Sequence, residues 1–168
     1  AARLPRDERV VVVEETAELQ ITVPNVVRLE ERRAQRDLGA VTMRDLLRAT
    51  LRHRPDRILV GEVRGGEAYD LLQALNTGHA GTLCTIHASS AVQALARLTS
   101  CVLQAGVEVP YAAVRHQIGE AVQLVAHLAR IGGHRHVDEL LRVRRYTPDD
   151  DRFDASNVGS SPVSKGLS

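Results

Sequence analysis

Between Asp56 and His87 the chain carries a strand, a helix and a strand in succession, with chemistry at the turns. Ile58, Leu59 and Val60 form a short apolar run that stops at Gly61-Glu62-Val63-Arg64-Gly65. Helical spacing follows, and then Thr77-Gly78-His79-Ala80-Gly81 leads through Thr85-Ile86-His87. A strand, a crossing helix and a second strand fold as a parallel βαβ unit, so this stretch commits the chain to an α/β sheet. Ligands of open α/β sheets bind where the strands end at their carboxyl edge. Successive strand ends carrying an acid, histidines and glycines therefore predict a nucleotide or phosphate site.

The flanking sequence extends the pattern. Val10–Val13 is a β-branched run closing on Glu14 and Glu15, a buried strand ending in acids, and Val26–Leu29 is a second strand. Residues 32–40 read as a polar loop. Thr42 caps a helix whose apolar positions are Met43, Leu46, Leu47 and Leu51, and Pro55 stops it. Residues 67–76 form a helix with Ala68, Leu71, Leu72 and Leu75 on one side, closed by Gly78. Residues 82–86 read as a strand. Ser89 or Ser90 caps a helix running to about Gln104, a further helix covers 111–120, and residues 121–131 and 136–146 form a hairpin around Gly132-Gly133. The expected architecture is α/β, a mostly parallel sheet with C-terminal helices and a β-hairpin. Residues 1–150 are expected to be one domain and 151–168 a disordered tail.

With 22 basic and 21 acidic residues the chain has no charge excess aimed at a polyanion. Its aromatic side chains are one Phe, three Tyr and no Trp, too few for a base-stacking platform, so no direct nucleic-acid binding is expected. Cys84 and Cys101 have no paired spacing and are expected to be reduced, partly buried thiols.

Glu62, at the tip of a buried strand, is placed to hold a magnesium-bound water or to orient water against a phosphate, and equally to be an ordinary surface acid. Arg64 in a glycine turn beside it favours the phosphate reading. Glu14 is expected to face the same cleft, with Glu15 turned toward a surface arginine. His79 and His87 bracket a strand containing Cys84, but the offsets put candidate ligands on opposite faces of it, so a zinc site there is not expected, and the chain as a whole is expected to bind no zinc. Those two histidines are read as hydrogen-bonding a phosphate or water. His53, His116, His127, His134 and His136 are read as surface or hairpin residues. Arg28, Arg32, Arg33 and Arg36 cluster in a loop that either supplies an arginine finger or is simply solvated.

These motifs together resemble the C-terminal motor domain of the type II/IV secretion ATPases, nearest the CpaF-like pilus-assembly and conjugal-transfer members. Val12–Leu19 resembles the family's Asp box, Arg54–Gly65 its atypical Walker B motif, and Thr77–Ala88 its His box, in the right order over residues 5–150. The resemblance implies a RecA-like P-loop NTPase core acting on ATP with Mg2+. It implies catalytic roles for Glu14, Glu62 and His87, with Glu62 reaching Mg2+ through water. Glu15, Arg32, Arg64 and His79 are implied nucleotide contacts, Arg32 as a finger. It also implies a homo-hexamer in the cytoplasm, peripherally bound to an inner-membrane secretion or pilus machine.

Two features depart from the family pattern. Glu15 stands where the Asp box has an aspartate. The sequence contains no Gly-x4-Gly-Lys-Ser/Thr, and its single lysine is Lys165. The expectation is therefore a partial core, without the P-loop strand and helix, from a fragment or a degenerate gene. Such a chain binds ATP poorly by itself. The alternative reading is a non-catalytic subunit that acts as an oligomerisation or binding module in a secretion ATPase ring.

Overall fold

The computed structural model describes residues 4–79 and 81–160. The chain divides into two compact units, one made of the residues up to Ile86 with Ser100–Glu108, the other of His87–Thr99 with the residues from Val109 onward.

The first unit is built on a parallel sheet of β1 (Val10–Glu14), β2 (Val26–Glu30), β3 (Arg57–Val60) and β4 (Leu83–Cys84), in the order β2-β1-β3-β4. Val10–Val13 are fully buried, as expected of a central strand covered on both faces. Helix α1 (Met43–Thr50) begins in a capping box: Thr42 accepts from the Asp45 N–H, and the Asp45 carboxylate accepts from the Thr42 N–H. The buried side of α1 is Met43, Leu46, Leu47 and Thr50. Leu51, expected on that side, lies in the following 3-10 turn and is exposed. Thr50 takes its place by donating its hydroxyl to Leu46 O at 2.8 Å. Helix α2 (Glu67–Asn76) buries Ala68, Leu71 and Leu72. Asp70 on α2 is 9% exposed and accepts from both Arg44 (2.6 Å) and Arg48 (2.8 Å), which ties α1 to α2.

Strand β4 is shorter than the 82–86 expected from sequence. It is an edge strand, and its flanking threonines spend their hydroxyls on backbone carbonyls: Thr82 donates to His79 O and Thr85 to Gly61 O. Cys84 is exposed there while Cys101 is fully buried, so neither thiol is the partly buried group expected.

Helix α3 (Ala91–Leu103) begins in the second unit. Helix α4 (Tyr111–Ala121) there packs on an antiparallel sheet of β5 (Leu124–Ile131), β6 (His134–Thr147) and β7 (Arg152–Gly159). Gly119 makes that packing possible, because a Cβ on it would lie 2.6 Å from Tyr146 N. Strand β7 corrects the expectation of a disordered tail from 151. Arg115, 9% exposed, carries its guanidinium over the rings of Tyr111, Tyr146 and Phe153 at 5.5, 4.9 and 4.5 Å. Its Nη2 donates to Asp151 O at 3.0 Å. One buried cation thus gathers three of the chain's four aromatic rings and pins the start of β7. Residues 161–168 of the expected tail lie outside the described residues.

Candidate functional site

Strand register sets the site. Val13 of β1 pairs with Val60 of β3, and Gly61 N donates to Val13 O at 2.9 Å, so Glu14 and Gly61 emerge side by side at the carboxyl edge. On the other flank Glu14 pairs with Glu30, and Glu31 N donates to Glu14 O at 3.0 Å. Gly61 is needed for this closeness, since a Cβ there would sit 3.2 Å from Glu14 Cγ. The chain then turns through Glu62 and Arg64, held from below by Val63 N donating to Thr85 O at 2.9 Å.

An open cleft of about 800 Å³ lies at this edge, lined by Glu14, Glu15, Glu18, Glu31, Glu62, Glu67, Arg64, Gly61, Thr85 and their neighbours. Glu14 is the most buried of the acids at 4% exposure, and its Oε1 accepts from Glu18 N (3.0 Å) and Leu19 N (2.8 Å). Arg64 bridges two others, donating from Nη1 to Glu15 Oε2 at 2.6 Å and from Nη2 to Glu62 Oε2 at 2.8 Å. The hydrogen bond to Glu62, followed by the charges of Glu62 and Glu15, holds the Arg64 guanidinium above the ordinary arginine value.

The cleft thus brings together Glu14, Glu15, Glu62 and Arg64. Glu15 does pair with a surface arginine, but that arginine is Arg64, so the pair stays in the site. His79 lies elsewhere. It follows α2 and precedes β4, at the amino edge of the strands, where neighbouring Gly81 abuts the Arg57 side chain that opens β3. Its Nδ1 sits 3.1 Å from Ala74 O, closing the end of α2. Arg32 is exposed in the loop after β2, bridged to Val41, and its Nη2 donates to Gly39 O at 3.1 Å. His87 is exposed and begins the second unit.

Glu18, Glu31 and Glu67 line the cleft without having stood out in the sequence. Glu67 accepts from Arg64 N (2.6 Å) and Gly65 N (2.8 Å), fixing the turn that carries Arg64, and Glu31 accepts from Met43 N at the start of α1. An acid directly after a Gly-Gly pair, at the first position of a helix, is the signal that marks Glu67.

Six glutamates against one arginine make the cleft strongly acidic. Carboxylates gathered in one cleft make it hospitable to a cation, although among the described residues no three of them bring ligand atoms within reach of a single ion. A polyphosphate finds in the cleft only Arg64, already engaged by Glu15 and Glu62, and the described lining offers no cradle of backbone amides around it.

A parallel sheet with acids on neighbouring strand tips is part of a RecA-like P-loop NTPase core, and the chain is similar to solved enzymes of that kind. The VirB11 ATPase from the Brucella suis type IV secretion system, in complex with sulphate, superposes with a TM-score of 0.73 at 36% identity, over 82% of this chain and 40% of that one. The pilus retraction motor PilT with bound ADP shares the fold, with a TM-score of 0.53 at 24% identity over 76% of this chain and 36% of that one. The profile described as type II/IV secretion system protein matches residues 2–161, and the chain belongs to that family. Among curated relatives it is 45% identical over 141 residues to a Mycobacterium tuberculosis protein named for conjugal transfer, and 41% identical over 140 residues to the conjugal transfer protein TrbB of Rhizobium radiobacter. Both alignments cover 83% of this chain and 40% of the relative, so the chain spans two fifths of the length of the proteins it matches.

Proposed function

We propose that this chain is the water-activating and metal-side part of an ATP-hydrolysing motor for secretion or conjugal transfer. The observation that carries the reading is the placement of Glu14 and Glu62 on adjacent strand tips, with Arg64 between Glu62 and Glu15. Glu14 lines the cleft with its Oε1 held by two backbone N–H groups, and its carboxylate would accept the proton of an attacking water. Glu62 would hold Mg2+ through water. The ion, when bound, supplies positive charge where phosphate charge develops. Arg64 sets the orientation of both Glu62 and Glu15. The phosphate cradle comes from outside these residues, which is why the chain alone holds nucleotide poorly.

Arg32 and His79 are contacts to nucleotide made across a subunit boundary, Arg32 from an exposed loop and His79 from the opposite edge of the sheet. His87 senses the terminal phosphate. Such a division of the site would be completed in a ring, a homo-hexamer, on the cytoplasmic side of an inner-membrane secretion or pilus machine. No described helix is long and apolar enough to cross a membrane, which suits peripheral attachment.

The experiment is calorimetric titration of the 168-residue chain with MgATP, together with a phosphate-release assay. Weak binding without turnover is expected. Micromolar affinity with steady hydrolysis by this chain alone would overturn the reading.

A further inference from the structure

Strands β5 and β6 pair in regular antiparallel register except at one point. His127 lies opposite Glu139, and the next residue, Leu128, lies opposite Val137, so Asp138 is the extra residue of a β-bulge. In an unbroken strand Asp138 and Glu139 would point to opposite faces. The bulge removes that alternation and brings both carboxylates to the same histidine. One ligand atom from each of His127, Asp138 and Glu139 lies within 4.8 Å of the others.

One of these separations matches a coordination site. His127 Nδ1 and Asp138 Oδ2 are 3.4 Å apart. Tetrahedral zinc with bonds of about 2.0–2.1 Å separates its ligand atoms by roughly 3.3–3.4 Å. His127 Nδ1 is buried and makes no hydrogen bond among the described residues, a costly state for a polar atom that a metal bond would relieve. Glu139 is oriented from behind, its Oε2 accepting from Ala91 N at 3.0 Å at the start of α3, as outer partners orient metal-binding carboxylates. His136, opposite Ala129 and so on the same face as His127, also has a buried nitrogen, Nε2, without a hydrogen-bond partner.

We propose that this bulge is a binding site for a divalent transition metal of the zinc type, with His127, Asp138 and Glu139 as its three protein ligands. An imidazole with two carboxylates balances a divalent charge and matches the nitrogen and oxygen preference of zinc. It leaves one position of the tetrahedron for water. The site is independent of the nucleotide cleft and of the reading given to it. It lies outside the His79–Cys84–His87 stretch and departs from the expectation that the chain binds no zinc.

The test is calorimetric titration of the metal-free 168-residue chain with Zn2+, repeated with Asp138→Asn and His127→Gln. Asp138 has a side chain 44% exposed, so the asparagine variant leaves the packing in place, and far-UV circular dichroism checks the fold of each. One zinc ion per chain is expected, with affinity lowered at least about tenfold in either variant. Co2+ added in place of Zn2+ is expected to give the intense visible bands of tetrahedral coordination, weakened in Asp138→Asn. Absence of Zn2+ binding would overturn the proposal. Binding unchanged in both folded variants would do so as well, since it would place the metal on other side chains.

Discussion

Glu14 is the residue on which structure and chemistry coincide. Its backbone ends a central strand, its Oε1 accepts two N–H groups from the following loop, and the residue lines the cleft. A glutamine keeps an acceptor for both amides, whereas an alanine leaves them unpaired. Glu14→Ala is therefore expected to cost about 1–3 kcal/mol more stability than Glu14→Gln, read from urea denaturation midpoints. Equal midpoints would show that those amides find other partners. Single residues were unevenly legible in the sequence. Glu14, Glu62 and Arg64 stood out because each ends or follows an apolar run, and register alone then brought them together. The place of His79 was not legible for a physical reason: proximity to a strand in sequence does not say which of its ends a residue occupies. The helix before β4 returns the chain to the amino edge, so His79 arrives there.

At the scale of elements, helix α1 shows how local chemistry responds to pH. The Thr42 hydroxyl, and after it the Thr42 backbone N–H, donate to Asp45 and hold its carboxyl below the usual aspartate value. Because the folded value is the lower one, the capping contribution is full above the unfolded value and is lost as pH falls through the folded one. Thr42→Ala is expected to lose less stability than the wild type on acidification below about pH 4, measured by denaturation at stepped pH. Identical acid limbs would contradict this. In the second unit, Gly119→Ala pushes a methyl into the backbone of β6 at Tyr146. It should cost about 1–3 kcal/mol by the same denaturation assay, and an unchanged midpoint would show that α4 can shift freely. The helices and buried strands were legible because their apolar periods are strong. Strand β7 was not, since Arg152–Gly159 is polar and owes its order to the Arg115 cluster and to pairing with β6. The bulge at Asp138 was equally hidden, because an extra residue only shifts the phase of alternation, and His136-Val137-Asp138-Glu139 is too polar to show the phase.

For the whole molecule, family membership follows from residues 2–161 and the partial α/β core from the sheet order. Both were legible in the order of three motifs. The division into two units was not, because α3 runs from one into the other without a break in its helical pattern. The central claim is that the cleft acids serve catalysis rather than nucleotide capture. It is tested most directly in a full-length protein carrying this segment with Glu62→Gln, by measuring nucleotide affinity and steady-state ATP turnover side by side. Unchanged affinity with turnover lowered by about 10²–10⁴-fold is the predicted result. Turnover at the wild-type rate would contradict the account.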